Sequence, residues 1–378
     1  MNVKKSIKSG VIKEITKSKK LSLIVSGVLL SSTMGFAADS LDAALKNGKV
    51  SGSAIAYGTY TDYKAADKSD FAGGYGTINL GYETSSYNGF TAKAAFEAGH
   101  AVADAELVND ALMTEAYIKY ANDMVSVTVG RQVVNDLEWL NHYNEAVMSS
   151  ITAVPDTKIV LGYVNQHATA DENEIGNFYD TGFEKGVYVA DVKYSGLKGV
   201  VFNPYYYAAP DLASWYGLKT TFTADMFGAG AQYAASNEEV DGVEDGSIGH
   251  VYLNANVAGI SSTIGYIKTN KDGSASSMKI VGDSLSPLDA GDFVFSTDAR
   301  TAYGTLGYTI AGVKLGALYA ETTYSNADYK EGELNLTAGY SLTKSLSTSL
   351  LYADINADGN DSNGVDRNYG SLTVKYTF

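Results

Sequence analysis

The chain contains no cysteine and only 4 prolines in 378 residues. No disulfide can staple it, and few prolines mean few interruptions to strand hydrogen bonding. Long apolar runs are missing too. Beyond residue 37 no stretch approaches the roughly 20 apolar residues of a membrane helix. A basic surplus is also absent: 28 Lys and Arg stand against 43 Asp and Glu, a net charge of −15. That balance argues against nucleic acid as a partner, because phosphate binding needs a basic face. Histidine is scarce, and none of the 4 residues shows the His-x-x-x-His spacing of a metal site. What the chain has in quantity is 39 Gly and 29 Tyr, which suit a pleated wall with aromatic girdles.

Residues 1–37 differ chemically from the rest. Lys4, Lys5, Lys8, Lys13, Lys17, Lys19 and Lys20 form a basic region, the apolar stretch from Leu21 to Met34 follows, and Gly35, Phe36 and Ala37 supply the small residues of a cleavage site. This is the order of a secretory signal peptide, and the stretch is too short and Ser-rich to span a membrane. Cleavage after Ala37 is expected, leaving residues 38–378 as one domain. N-terminal sequencing of the mature protein checks this, and an intact Met1 would refute it. Loss of the leader lowers the net charge from −15 to about −21.

After Ala37 the chain repeatedly shows segments of about ten residues in which apolar and polar side chains alternate. Alternation places successive side chains on opposite faces of a strand. Phe90, Ala92, Ala94 and Phe96 face one way, and Thr91, Lys93 and Glu97 the other. Thr114, Ala116, Ile118 and Tyr120 oppose Glu115 and Lys119. Val251, Leu253, Ala255 and Val257 oppose His250, Tyr252, Asn254 and Asn256, and Leu334, Leu336, Ala338 and Tyr340 oppose Glu333, Asn335 and Thr337.

Short links such as Ser86-Tyr87-Asn88-Gly89 alternate with longer polar connections near 61–73, 100–110, 131–143, 167–185, 237–247, 271–298 and 357–367. Tight periplasmic turns and long extracellular loops produce this rhythm. The pattern predicts an all-β, transmembrane antiparallel β-barrel of about 18 strands, from 50–60 to 368–378, with 16 as the other even count. The last segment carries the sharpest signal. Leu372, Val374, Tyr376 and the terminal Phe378 share one face, an amphipathic ending that resembles substrates of the outer-membrane barrel assembly machinery.

Small barrels of about 8 strands are filled by their own side chains, whereas 16 to 18 strands leave an aqueous channel. The expected location is therefore the cell outer membrane, and the expected role passive diffusion of small hydrophilic solutes and ions. A channel of this width needs narrowing by an inward-folded loop, and charge rings set ion preference. The candidate is the third long connection, RQVVNDLEWLNHYN from Arg131 to Asn144. Within it Arg131, Asp136, Glu138 and His142 are expected to form the pore constriction. Lys93, Glu97, Glu115, Lys119, Asp191, Lys193 and Glu333 are expected to line the lumen, with the carboxylates giving a weak cation preference.

Leu41-Asp42-Ala43-Ala44-Leu45-Lys46-Asn47-Gly48-Lys49-Val50-Ser51-Gly52 resembles the start of OprD-like porins and of the related major outer-membrane porins of epsilonproteobacteria. Gly130-Arg131-Gln132, followed by a loop with Asp and Trp, is similar to their third-loop entry. The resemblance implies an 18-stranded barrel, usually trimeric, with loop 3 folded into the pore. Lipid, lipopolysaccharide and further copies of the chain would be its partners, and no cofactor is implied. The dense Arg ladder of the carboxylate-specific members is not found, which weakens any expectation of carboxylate specificity.

Two other classes compete. An outer-membrane barrel enzyme would need a His beside a carboxylate or Ser, and His100, His142, His167 and His250 read better as surface or satisfied lumen residues. A structural or adhesive barrel that merely displays its loops would show negligible conductance. The acidic groups Asp241, Glu244 and Asp245, and Asp354, Asp358 and Asp361, read as solvated loops because they lack a full Ca²⁺-loop signature.

Overall fold

The structure, a computed structural model, describes residues 38–65, 68–182, 184–291, 293–325, 329–358 and 366–378. The expected signal peptide and Asp361 lie outside the described residues. A short helix, α1 (Leu41–Lys46), comes first. Ser40 caps it by accepting from the Ala43 N–H at 3.1 Å, and Lys46 reaches back one turn to Asp42 at 2.6 Å. Its C-terminal end docks on the turn at residues 84–89, where the Ser85 N–H donates to the Ala44 carbonyl at 3.1 Å.

The strands follow as β1 (Lys49–Tyr63), β2 (Phe71–Glu83), β3 (Phe90–Ala103), β4 (Ala111–Ala121), β5 (Val125–Val133), β6 (Tyr143–Ile151), β7 (Thr157–Ala168), β8 (Tyr179–Asp180) and β9 (Val187–Leu197). They continue as β10 (Val200–Ala209), β11 (Ala213–Thr223), β12 (Phe227–Glu238), β13 (Ser247–Val257), β14 (Ile260–Thr269), β15 (Arg300–Ile310), β16 (Val313–Tyr324), β17 (Tyr329–Ser341), β18 (Leu346–Asp358) and β19 (Arg367–Thr377). Each pairs antiparallel with its sequence neighbour, and β1 pairs with both β2 and β19, so the sheet closes. The two-residue β8 sits on the end of β7, and the ring bypasses it through direct β7–β9 pairing. The described residues thus form an eighteen-stranded closed barrel, and the segments read from alternation fall on its strands in order. Closure gives every wall strand two hydrogen-bonding neighbours, the condition for crossing hydrocarbon with a β-sheet. No helix among the described residues is long and apolar enough to cross a membrane.

The alternation sorts the two faces. Phe96, Ile118, Val251, Leu253, Leu336, Leu372 and Tyr376 are exposed on the outside, while Glu97, His250, Glu333, Asn335 and Thr337 are buried within. One departure corrects the expected pattern of β4. The β3–β4 register shifts at Ala95/Phe96, and Thr114 and Glu115 are both buried, so Thr114 does not join Ala116 and Ile118 on the outer face. A bulge of this kind places two consecutive residues on one side. β10 shows how a wall tolerates proline. Pro204 has no N–H to offer Val192, opposite it in the ladder, and the Asn203 side-chain amide donates to the Val192 carbonyl at 2.9 Å instead.

The hydrophobic core lies inside the ring. Leu137, Trp139 and Leu140 from the β5–β6 loop pack with Met278, Val281, Leu285, Val294 and Phe295 from the β14–β15 connection, against inward side chains of β6 to β16. The expectation that 271–298 is a polar surface loop is therefore corrected: it is rich in apolar residues and folds inward.

Candidate functional site

Two inward segments and the wall build the interior. The loop between β5 and β6, residues 134–142, starts and ends with a pinch in which the Val134 N–H donates to the His142 carbonyl at 2.9 Å. Asn144 reinforces it, donating to the Asn141 and His142 carbonyls at 2.9 and 3.2 Å. His142 itself adopts φ of 57°, a left-handed turn conformation, and its ring lies 6.0 Å from that of His167. His167 Nδ1 is 3.0 Å from the Asn144 side-chain oxygen.

The loop's charges are tied to the wall. Lys158 on β7 pairs with the Asp136 carboxylate, and Lys193 on β9 donates to the Asp136 carbonyl. Glu138, 6% exposed, accepts from the Lys219 ammonium with both oxygens at 3.0 Å and from the Ser284 hydroxyl at 2.7 Å. The Ser284 N–H donates to the Glu138 carbonyl at 3.0 Å, so one residue joins loop 3, β11 and the β14–β15 connection.

Burial alone would raise both carboxyls, but for Asp136 the adjacent Lys158 and Lys193, and for Glu138 the Lys219 ammonium with the Ser284 hydroxyl, hold them below their ordinary values. A depressed folded value means the tether is at full strength above the ordinary carboxylate range and is lost as pH falls through the folded value. Conductance recorded down to about pH 3, below the free carboxylate range, should stay steady until that range is passed and then become noisy and larger. Noise that sets in already within the free carboxylate range would contradict the tether, because carboxyls held below their ordinary values stay charged there.

Arg131 does not oppose these carboxylates. It lies on β5, in register with Ala116 and Glu145, on the strand face that Val129 and Val133 expose. Its Nε is 3.3 Å from Glu145, its Nη1 donates to the Met113 carbonyl at 3.4 Å, and its guanidinium stacks 4.2 Å over Phe178. The wall residues distribute differently. Lys93 and Glu115 form an ion pair at 2.6 Å, and Lys119 shares the strand face of Glu115 and Tyr117. Asp191, fully buried, accepts from Asn203 at 2.9 Å and from Tyr207 at 3.4 Å. Glu333, 1% exposed, receives the backbone N–H groups of Asp289, Ala290 and Gly291 and the Asn335 amide. It pins the β14–β15 connection to β17, and Arg367 of β19 donates to the Ala290 carbonyl at 3.1 Å.

A third inward element escaped the sequence reading. Residues 169–176 form a small hairpin closed by the Ala170/Ile175 bridge and the Gly176 N–H to Thr169 carbonyl bond at 2.9 Å. Ile175 is fully buried beside Gly99 of β3, and Asn109 donates both its backbone and side-chain N–H to the Ile175 carbonyl. The hairpin therefore spans from the end of β7 to β3 and the β3–β4 loop, and its tip carries Asp171, Glu172 and Glu174. The missed signal was Ile175, an apolar residue within the acidic stretch 171–176; no comparable cue announced Lys158, Lys219 or Ser284.

The packed core occupies the β6–β16 side of the interior. On the opposite side the inward faces of β19, β1 and β2 carry Ser53, Asn79, Ser371, Thr373 and Lys375, all of which keep solvent exposure. Among the described residues no group of His, Cys, Asp and Glu is arranged to hold a metal ion.

A closed antiparallel barrel with an apolar outside, a partly wetted inside and inward-folded loops defines a membrane-spanning barrel of the channel-forming size class. Solved structures place it more narrowly. The chain resembles OccK9 (OpdG) of Pseudomonas aeruginosa with a TM-score of 0.74 and 13% identity, over 89% of this chain and 99% of that one. OccAB2 of Acinetobacter baumannii gives 0.73 and 13%, over 89% and 98%. OccK8 (OprE) of Pseudomonas aeruginosa gives 0.71 and 14%, over 89% and 99%. At this identity the likeness is one of fold, and it is the fold the OprD-like resemblance implied. No family model matches the chain, and no curated protein sequence does.

Proposed function

We propose that this protein is an outer-membrane porin, a passive diffusion channel for small hydrophilic solutes and ions with a weak preference for cations. The observation that carries the reading is the division of the interior. One side is a packed apolar core; on the other, the inward faces of β19, β1 and β2 carry the solvent-exposed Ser53, Asn79, Ser371, Thr373 and Lys375 among the buried Ile55, Tyr57, Thr77 and Tyr369. A barrel built only to display loops has no use for a wetted inner face. The full-chain likeness to the Occ structures supports the same reading.

In this proposal the 134–142 loop narrows the pore chiefly by bulk, with Asp136, Glu138 and His142 at the narrowing and Lys158, Lys193 and Lys219 balancing its carboxylates. Lys93, Glu97, Glu115 and Lys119 border the water path, while Asp191 and Glu333 serve as internal anchors. Arg131 is assigned to the wall. The chain assembles as a homotrimer among outer-membrane lipid and lipopolysaccharide, after export under the 1–37 signal peptide. The exposed C-terminal strand with Phe378 is the segment offered to the barrel assembly machinery. No catalytic step is assigned to it.

Planar-bilayer recording of the refolded protein in a salt gradient tests the reading. Stepwise conductance, a reversal potential of cation sign and closure in threes are expected. A correctly folded barrel without conductance would overturn the channel assignment in favour of a display barrel.

A further inference from the structure

We propose that the outer wall at the extracellular ends of β14 and β15 holds a phosphorylated lipid of the outer leaflet, its phosphate on Lys268 and Arg300 and an acyl chain on the lane below them. The inference rests on the outer-membrane placement in the reading above, and it concerns the face turned to lipid instead of the lumen.

The strands fix both the face and the height. Along β14, Ile267 and Thr269 are buried inside, so Tyr266 and Lys268 point outward. Along β15, Thr301 is buried and bonded to Thr322, which places Arg300 and Ala302 outside. Lys268 and Arg300 are register partners, so their side chains leave adjacent strands on the same face. Both stand at the end of the barrel that carries the long connections, near the exposed Tyr206, Tyr216, Tyr233, Tyr266 and Tyr319. Outward tyrosines in such a girdle mark the boundary between hydrocarbon and headgroups. Lys268 lies two residues beyond Tyr266, about 7 Å along the strand, which brings its ammonium to the depth of lipid phosphates.

The pair differs from its neighbours in charge balance. Elsewhere on the outer wall Arg131 meets Glu145, Lys64 meets Asp354 and Lys330 meets Glu321. Lys268 is exposed, and among the described residues no acid meets it. Arg300 places one nitrogen, Nη2, on the two Asp298 oxygens at 3.2 and 3.4 Å. Its side chain stays 47% exposed, with Nε and Nη1 left as donors. Asp298 thus offsets one of the two charges, and the site stays positive. A guanidinium with donors to spare beside an ammonium suits the oxygens of a phosphate.

The surface beneath the pair suits a tail. From Arg300 the outward face of β15 continues through Ala302 and Gly304, between Tyr266 and Ile264 of β14 and Glu321 and Tyr319 of β16. Glu321 is neutralised by Lys330 at 2.7 Å. Beyond its chain neighbours, the nearest heavy atom to a Cβ placed on Gly304 is 3.8 Å away, so the floor of the lane is bare backbone. Its run from Arg300 to Gly304 is about 13 Å, enough for the upper part of an acyl chain. Charge at the top of the lane and apolar surface along it select an amphiphile over a free anion.

The test titrates refolded protein in detergent with bis-phosphorylated lipid A and counts bound lipid by native mass spectrometry. Lys268→Gln with Arg300→Gln should weaken binding about thirtyfold, the loss expected for two cations near an anionic lipid surface. Lys344→Gln, in the exposed β17–β18 turn at the opposite end, should bind like the wild type. Gly304→Leu fills the lane and should weaken binding with both cations in place. Lipid A stripped of its phosphates should bind the wild type as poorly as intact lipid A binds the double variant, and excess inorganic phosphate should not displace the intact lipid. Equal binding by the wild type and the double variant, equal loss in Lys344→Gln, or indifference to the lipid's phosphates overturns the site. Displacement by inorganic phosphate, or full binding by Gly304→Leu, overturns the lipid seat. Conductance separates this inference from the channel reading: a wild type that binds the lipid as described and passes no current refutes the channel and leaves the lipid site standing.

Discussion

Glu138→Ala should release loop 3 from the wall and raise single-channel conductance. The side chain is nearly buried, and it neutralises Lys219 with two contacts at 3.0 Å while accepting from Ser284 at 2.7 Å. Its removal strands a lysine whose side chain is only 21% exposed. Breaking one partner of a buried pair costs on the order of 3 kcal/mol, because the remaining charge loses its compensation. The barrel ladder does not contain this contact, so global unfolding is a poor readout. Hydrogen exchange across 134–142 and across the β14–β15 connection is the proper one, and both should exchange faster together, since Ser284 joins them. Glu138→Leu with Lys219→Met should restore much of the protection by replacing the pair with apolar volume. If the double variant exchanges as fast as the single one, the ion pair is not what holds the loop.

The wall was readable because its determinants are local. In a strand, adjacent residues report opposite faces, so Phe90 to Glu97 or Leu334 to Thr337 declare their faces without help from the rest of the chain. Turn residues delimit each segment in the same way, and Phe378 marks the end. The exceptions are places where a non-local pairing overrides the local pattern. The β3–β4 register shift turns Thr114 inward, and the continuation of β5 through Val133 takes Arg131 out of the loop to which its sequence position assigns it.

The interior was much less legible. Asp136 and Glu138 announced themselves by charge, but their partners Lys158, Lys193 and Lys219 lie on strands 22 to 81 residues further along. Periodicity within a strand gives its face and says nothing about which loop will fold onto it. The β14–β15 connection did carry a warning. Met278, Val281, Leu285, Val294 and Phe295 are costly to leave in water, and a long connection with that composition must cover them somewhere. In a barrel wide enough to hold two loops, the lumen is the nearest dry space.

Trp139→Ala should have the larger effect on the pore itself. The indole is fully buried at the centre of the internal core, edge-on to Phe295 with centroids 6.3 Å apart. Around it meet loop 3, the β14–β15 connection and the inward side chains of β10 and β11. Truncating a buried Trp to Ala costs about 3–5 kcal/mol, part of it the cavity left behind. The cavity would open between loop 3 and the β14–β15 connection, loosening the packing that holds both inward. With Glu138 intact, loop 3 keeps its ionic anchor and loses its apolar one. The expected result is a channel that still opens, with higher conductance and new substates, while the heat stability of the barrel band on a gel stays near wild type because the wall ladder is untouched. Phe295→Ala should reproduce the change at smaller size, as the opposite face of the same contact. Should Trp139→Ala conduct like the wild type with unchanged substates, the internal core would be filling space away from the path, and the pore's width would have to be set by the 169–176 hairpin and the β19–β1–β2 wall alone.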